Sequence, residues 1–558
     1  MRKATVLIVS AMFVMSAGFL HAEDVPLEQI QASIASGVEM ILATQQDDGA
    51  FLLTAQHHPV FPLGSTGLAV LALQYARPHL EGDLRARTFE GIRKGIAYIA
   101  QRPVEQKTYS AGFIICALYN ESPKRYSKLI GKYAAALAAS QHVDEKNRGL
   151  WHYDLRLPAR GTQKAKRKIS PGSDKSNTQI AILGLYYANR AGFQIPKRVW
   201  KNSQQAYLKS QFKEDPYNGG WGYRSKTTPP KKPTANMTIA GTISLNICNE
   251  MLLKRSRQCK APEKSKAIED GLDWIDRNWK SQQIGRDTYG LYALERLGII
   301  MGRANIGKHD WFNEGARMLV GKKEWYAQGG TPPVGACFGV MFLARGLEPI
   351  VINKLIRRDT QDWNNTPYDV KHLIEYIQDH YQHRVQWRMV SLEAPMHVLQ
   401  KTPILHISGH DKLDFNDEEK KKLKAYVDGG GTILAQACCS MKPFASSFRK
   451  LIEEVFGGPL KALPKKHRIY ERMRMRGYSP KPLIEVFSYA DQGNRPGVIF
   501  IPYGICRNWH LGGSRAKQSF VVGTGIYLYV TIEGRKMYLN ARGKAVPSMK
   551  PSSSRQIR

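Results

Sequence analysis

The chain has 558 residues, 42% of them hydrophobic, and its 82 Lys and Arg against 47 Asp and Glu give a formal charge of +35. That length and apolar content allow two or more cores and exclude wholesale disorder. Seven cysteines, an odd number with Cys116, Cys248 and Cys337 inside apolar helical patterns, exclude a disulfide framework.

The first residues read as an export signal. Arg2 and Lys3 precede an apolar run from Thr5 to Phe19, and Leu20-His21-Ala22 ends on a small residue before Glu23-Asp24. Cleavage is expected near Ala22, which gives a periplasmic or secreted protein. No later stretch approaches the roughly 18 uncharged apolar residues of a spanning helix, so no transmembrane segment is expected after cleavage. The positive charge is densest at Lys164 to Lys168, at Lys231-Lys232 and in a basic tail over residues 541–558, read as disordered. Outside the cytoplasm such a field suits an anionic cell-envelope polymer or a lipid surface. Nucleic acid is not expected as a partner, because no recognised binding module is present.

Twelve helical segments follow, of two alternating kinds. Ile30 to Ala43, Arg87 to Ile99, Lys124 to Ala139, Lys197 to Lys209, Lys264 to Trp279 and Asp310 to Lys322 carry apolar residues at helical period beside charged ones, the mark of half-exposed helices. Between them, segments beginning at Ser65, Ser110, Asn177, Thr238, Thr288 and Val334 are apolar nearly all round, as helices buried on both sides are. Most of these open with a residue able to cap the first free amides. The alternation predicts two concentric rings, the apolar set inside.

Glycine-aromatic turns recur after helices that end in Gln: Gln46 with Gly49-Ala50-Phe51, Gln141 with Gly149-Leu150-Trp151, and Gln211 with Gly219-Gly220-Trp221. Recurrence in fixed order at tens of residues marks a repeat architecture. Residues 28–347 resemble the alpha/alpha toroids of the terpenoid cyclase and protein prenyltransferase superfamily, and the turns resemble the QW repeats of squalene cyclases. The resemblance implies an (α/α)6 toroid of six hairpins, in which each turn clamps neighbouring helices.

The chemistry of those families is not evident. The Asp-x-Asp-Asp acid of the cyclases and the Asp-Asp-x-x-Asp magnesium clamp are absent, and the inner segments hold no histidine to complete a zinc set with Cys116 or Cys337. No metal or other cofactor is therefore expected. Inner polar residues, Glu250 and Glu295 above all, could serve a glycan between two carboxylates; alternatively Glu295 pairs with Arg296 or another helix-end charge.

Past Gly346 the pattern changes. A linker over 348–361 leads to strands at Arg384 to Leu392, Thr402 to Ser408, Thr432 to Ala437, Leu483 to Phe487 and Gly497 to Ile501. Helices start at Asn416 with a capping-box pattern, end at Gly429-Gly430-Gly431, and resume from Phe444 to Phe456. Strand-helix-strand order predicts a largely parallel sheet covered by helices. Trp363-Asn364-Asn365, Ser408-Gly409-His410 and the glycine triplet with Cys438-Cys439 resemble the domain-of-unknown-function family 4159. That resemblance, over about 362–540, implies a flavodoxin-like, class I glutamine amidotransferase-like fold and brings no established reaction.

The class overall is thus α followed by α/β. In open parallel sheets ligands bind at the carboxyl ends of strands, so Cys438, Cys439 and His410 are the candidate catalytic residues, Cys as nucleophile and His as base, with Asp411 a candidate binding residue. His406 lies on the same strand. The Gly-x-Cys-x-Gly elbow of true amidotransferases is absent, since Ala437 and Ser440 flank the cysteines. The expected function is ligand binding, an extended or apolar molecule in the toroid and a partner or small ligand on the second domain. The catalytic alternatives are a terpenoid-cyclase-like lyase or isomerase and a Cys-dependent hydrolase.

Overall fold

A computed structural model describes residues 24–53, 61–155, 173–224, 232–253, 259, 265–327, 330–358, 360–381, 383–474, 483–513 and 516–542. The signal segment, the basic run at Lys164 to Lys168, Lys231 and the tail beyond Arg542 lie outside the described residues.

The N-terminal region is helical. The charged segments form α1 (Leu27–Leu42), α3 (Gly82–Ala100), α5 (Ser127–Ser140), α7 (Lys197–Ser210), α9 (Lys266–Arg277) and α11 (Trp311–Leu319). The apolar ones form α2 (Pro62–Ala76), α4 (Thr108–Glu121), α6 (Lys175–Arg190), α8 (Ala235–Met251), α10 (Thr288–Met301) and α12 (Pro332–Gly346). Each apolar helix packs on the next, from α2 through α12, and α12 packs back on α2. Being apolar all round they have no face for water, so the charged helices cover their outer sides. A two-residue hairpin, β1 (Asn305–Ile306) with β2 (His309–Asp310), precedes α11.

The glycine-aromatic turns fasten neighbours together. Gln141 Nε2 donates to Gly149 O of its own turn and to Val199 O of α7 (2.8 Å), and Gln211 Nε2 does the same to Gly219 O and Ala267 O of α9 (2.7 Å). In the first unit the acting residue is Gln45, bonded to Gly49 O and Gly91 O, and not the expected Gln46, which is exposed. Gly219 has φ +92°, and a Cβ there would stand 2.0 Å from Asp270 O, so only glycine fits. Thr66, Thr178 and Thr238 accept the backbone N–H of Phe51, Trp151 and Trp221, a use that departs from the expected helix capping. True caps sit upstream, Asp174 for α6 and Asp287 for α10. Trp325, a clamp the sequence reading did not assign, bonds Leu319 O at the end of α11 and packs on Gly339 of α12.

Side chains of the apolar helices fill the space between them. Tyr109 of α4 reaches Tyr289 of α10 on the opposite side (2.8 Å), Phe113 meets Tyr292 and Phe338, and Arg296 of α10 donates to Gln179 of α6 (3.0 Å).

The second region is a seven-stranded sheet, β3 (Ile350–Ile356), β4 (Gln386–Ser391), β5 (Ile404–Gly409), β6 (Thr432–Ala437), β7 (Lys461–Ala462), β8 (Glu485–Tyr489) and β9 (Arg495–Ile501), in the order β4-β3-β5-β6-β9-β8-β7. The first five are parallel, and β8 and β7 extend the edge antiparallel. The stretch expected to be a linker, 348–361, instead contains β3, an inner strand. The Lys in its middle hid it: Lys354 is buried, and its charge is met by Asp369 (2.7 Å).

One face of the sheet packs on α13 (Asp369–Tyr381), α17 (Arg468–Arg474), α18 (Cys506–Leu511) and α19 (Lys517–Leu528). The other packs on α14 (Met396–Gln400), α15 (Asp417–Asp428) and α16 (Lys442–Phe456). The capping box predicted at Asn416 is present, paired with Glu419. Among the described residues no helix is long and apolar enough to cross a membrane.

Candidate functional site

Two sites emerge, one at the carboxyl edge of the sheet and one between the two regions. The edge site is assembled by the loops that follow parallel strands. Arg357 and Asp362 follow β3, His410 follows β5, Cys438 and Cys439 follow β6, and Cys506 follows β9. A fourth sulfur comes from the helical region, Cys259 on the connection between α8 and α9. The ligand atoms of Cys259, His410, Cys438 and Cys439 all lie within 4.8 Å of one another. The expected Cys438, Cys439 and His410 are thus together, but Asp411 is not with them: its side chain is exposed and only its backbone N–H takes part, donating to Asp362 (3.1 Å).

Backbone strain marks the turn. Cys439 (φ 53°, ψ 22°) and Ser440 (φ 61°) are consecutive non-glycine residues in the left-handed region. Each costs about 1–3 kcal/mol, and such residues cluster at functional sites. Gly504 makes room, since a Cβ there would meet Cys439 N at 2.5 Å. The Cys438 thiol donates to Cys259 and thereby draws the Cys259 thiol down to about 5, while burial pushes Cys439 up to about 11. Burial would raise Asp362, but the N–H groups of His410 and Asp411 and the Arg357 guanidinium (2.5 Å) hold it below the usual carboxylate range. His406 does not join the edge. It lies in mid-strand, bonded to Gln436 (3.1 Å) and beside Trp509.

Burial lowers His406 from 6.5 to about 4, only partly opposed by Asp369. The unfolded chain therefore binds more protons than the folded one between those values, and this group's stabilisation is present above pH 6.5 and lost as pH falls. His406→Gln removes the titration. The stability advantage of wild type over the variant is expected to shrink by up to about 2 kcal/mol between pH 7 and pH 5 in urea titrations, at ~1.4 kcal/mol per pH unit.

The second site is where the helical region meets the sheet domain. All six inner helices end there. Tyr75 of α2 lies under Arg384, Tyr119 of α4 donates to Asp379, Tyr186 of α6 donates to Glu375, Glu250 of α8 pairs with Lys371 (2.7 Å), Gly302 after α10 accepts from Met389 N, and Arg345 of α12 accepts from Gln386 through its backbone O. Lys371 also meets Glu375 (2.9 Å), and Arg190 meets Asp379 (2.7 Å). Burial raises Glu250, yet Lys371 and His372 outweigh it and the carboxylate stays ionised. His372 lies between two acceptors, Glu250 at one ring nitrogen (3.0 Å) and Trp509 O at the other (3.0 Å).

Glu250 and Glu295 do not face one another across a substrate channel. Glu250 is bound into the second region, and Glu295 pairs with Arg345 (3.0 Å), a helix-end charge, and not with the adjacent Arg296. Burial pushes Glu295 up to about 7. Beside the ion network lies a cleft of about 740 Å³, lined among others by Asn189, Arg190, Gln194, Lys197, Tyr376 and Phe520. Sequence alone had no signal for this cleft, because its walls come from segments as far apart in the chain as Asn189 and Phe520.

Residues 352–501 match the family described as Domain of unknown function (DUF4159). No curated protein matches the chain.

Proposed function

We propose, because the family of residues 352–501 carries no assigned reaction, a function read from geometry: an exported binding protein whose site is the cleft between an (α/α)6 toroid and a flavodoxin-like domain. The toroid reading is supported by the closed succession from α2 to α12, and the flavodoxin-like reading by the parallel order β4-β3-β5-β6-β9, with its switch between β3 and β5. The toroid then acts through its rim, since Tyr109, Phe113, Tyr289 and Phe338 occupy its axis. A cyclase-like acid would have to be Glu295, which is held by Arg345.

The observation that carries the reading is the 740 Å³ cleft, large enough for a drug-sized ligand or a short glycan. Tyr376 is held between Phe520 (4.9 Å) and His380 (3.9 Å), and this stack turns the exposed His380 ring outward as a platform for a sugar face, while Asn189, Gln194 and Lys197 offer donors to hydroxyl and carboxylate groups. The ligand class is an acidic envelope glycan, in keeping with the charge of +35. Calorimetric titration with anionic glycan fragments should show binding that Tyr376→Ala weakens about 10-fold. Equal affinity in the variant would place the ligand elsewhere.

A Cys-dependent hydrolase at Cys438 or Cys439 is the second reading, favoured by the closeness of His410. It requires one thiol of the cluster to react with iodoacetamide well ahead of the rest.

A further inference from the structure

We infer that Cys259, His410, Cys438 and Cys439 form a tetrahedral zinc site that fastens the α8–α9 connection of the helical region to the carboxyl edge of the sheet. This revises the expectation of no metal, which considered only the inner helices. Their four ligand atoms lie within 4.8 Å of one another. Bonds of about 2.3 Å to sulfur at tetrahedral angles put the sulfurs about 3.8 Å apart, so small side-chain shifts close the site. Three cysteines and one histidine make a structural zinc set with no open position, and soft thiolate with imidazole selects zinc over magnesium or calcium.

The surroundings are those of a metal site. His410 Nε2 is buried with no hydrogen-bond partner, while its Nδ1 stands 4.0 Å from Asp362. Asp362 is in turn fixed by the N–H groups of His410 and Asp411, by Arg357 and by Asn365. A carboxylate behind a histidine is the usual means of orienting a ligating ring. The left-handed pair Cys439-Ser440 brings two successive sulfurs to one place, a geometry that plain packing of cysteines does not call for. All seven cysteines are unbridged, so the sulfurs are not consumed by one another.

On loading, each of the three thiols gives its proton to solvent, the imidazole binds neutral, and the ion exchanges its waters for four protein ligands. The set carries one net negative charge, and Arg507 acts electrostatically on Cys259.

The full chain, purified under reducing conditions without chelator, should hold one zinc per molecule by native and inductively coupled plasma mass spectrometry. Removing it with a chelator should lower the melting temperature, and cobalt(II) added to the stripped protein should give thiolate-to-metal charge-transfer absorption. Cys259→Ser and Cys439→Ser should lose the zinc, and Cys116→Ser should keep it. Zinc retained by both cluster variants would overturn the assignment, as would metal-free wild type that gives no cobalt band. A chain two hydrogens lighter, with Cys259 bridged to Cys438 or Cys439, would overturn it in favour of a disulfide. The cobalt experiment uses the unmodified chain, so it decides the matter even where a variant fails to fold. Glycan binding in the cleft stands or falls separately, on Tyr376→Ala.

Discussion

Lys354→Met is expected to lower the unfolding free energy by about 3–5 kcal/mol, a large part of the 5–15 kcal/mol that holds an ordinary domain folded. Lys354 lies in β3, between β4 and β5, with 1% of its side chain exposed, and it donates to Asp369 Oδ1 (2.7 Å) and Thr366 O (2.8 Å). Asp369 has 0% exposed and also accepts from Thr366 Oγ1 and Val370 N. Taking away the ammonium leaves a carboxylate with hydrogen bonds but no counter-charge in a medium that solvates it poorly. The double variant Lys354→Met/Asp369→Leu removes both charges and is expected to regain most of the loss, because a buried pair roughly balances its own desolvation. Melting temperatures of the wild type, both single variants and the double decide the case. A single variant as stable as wild type would mean that water reaches the pair.

Trp221→Ala should cost a similar amount, about 3–5 kcal/mol, for a different reason. The indole has 0% exposure, its Nε1 donates to Tyr207 O (2.9 Å), and its ring occupies the hollow left by Gly241 and Gly271, where a Cβ would come within 2.7 Å and 3.0 Å of it. Truncation opens a cavity that two helices bonded to the same turn cannot close. Tyr217, four residues away and 40% exposed, is the control: Tyr217→Ala should change stability by less than about 0.5 kcal/mol. A small effect at Trp221 would show that the turn ornaments the helical region and does not hold it.

What could be read beforehand follows the physics of each signal. Alternating apolar and amphipathic helices were legible, because burial on one side or on two leaves different periodicities. The turns were legible from glycine and tryptophan, though Gln45 was confused with its neighbour Gln46 since both can donate and only the chain's path chooses. The strand at Ile350–Ile356 was missed because Lys354 interrupts its apolar pattern, and a buried lysine is intelligible only with Asp369 in view. Of the edge cluster, three members were legible from strand ends. Cys259 was not, because nothing local links a connection after α8 to a sheet that begins some 90 residues later.

The six inner helices all point their carbonyl ends at the second region, and this gives the helical region an electrical direction. Each carries about half an elementary charge at either end, so roughly three positive charges collect at the amide ends of the set and roughly three negative ones at the carbonyl ends, about 22 Å away. The carbonyl rim repels itself, and Arg190, Arg345 and Arg384 gather there, with Lys371 arriving on α13. Freed of that region, the helical half would keep Arg190 and Arg345 but lose Lys371 and Arg384, and its uncovered carbonyl ends should draw cations from solution.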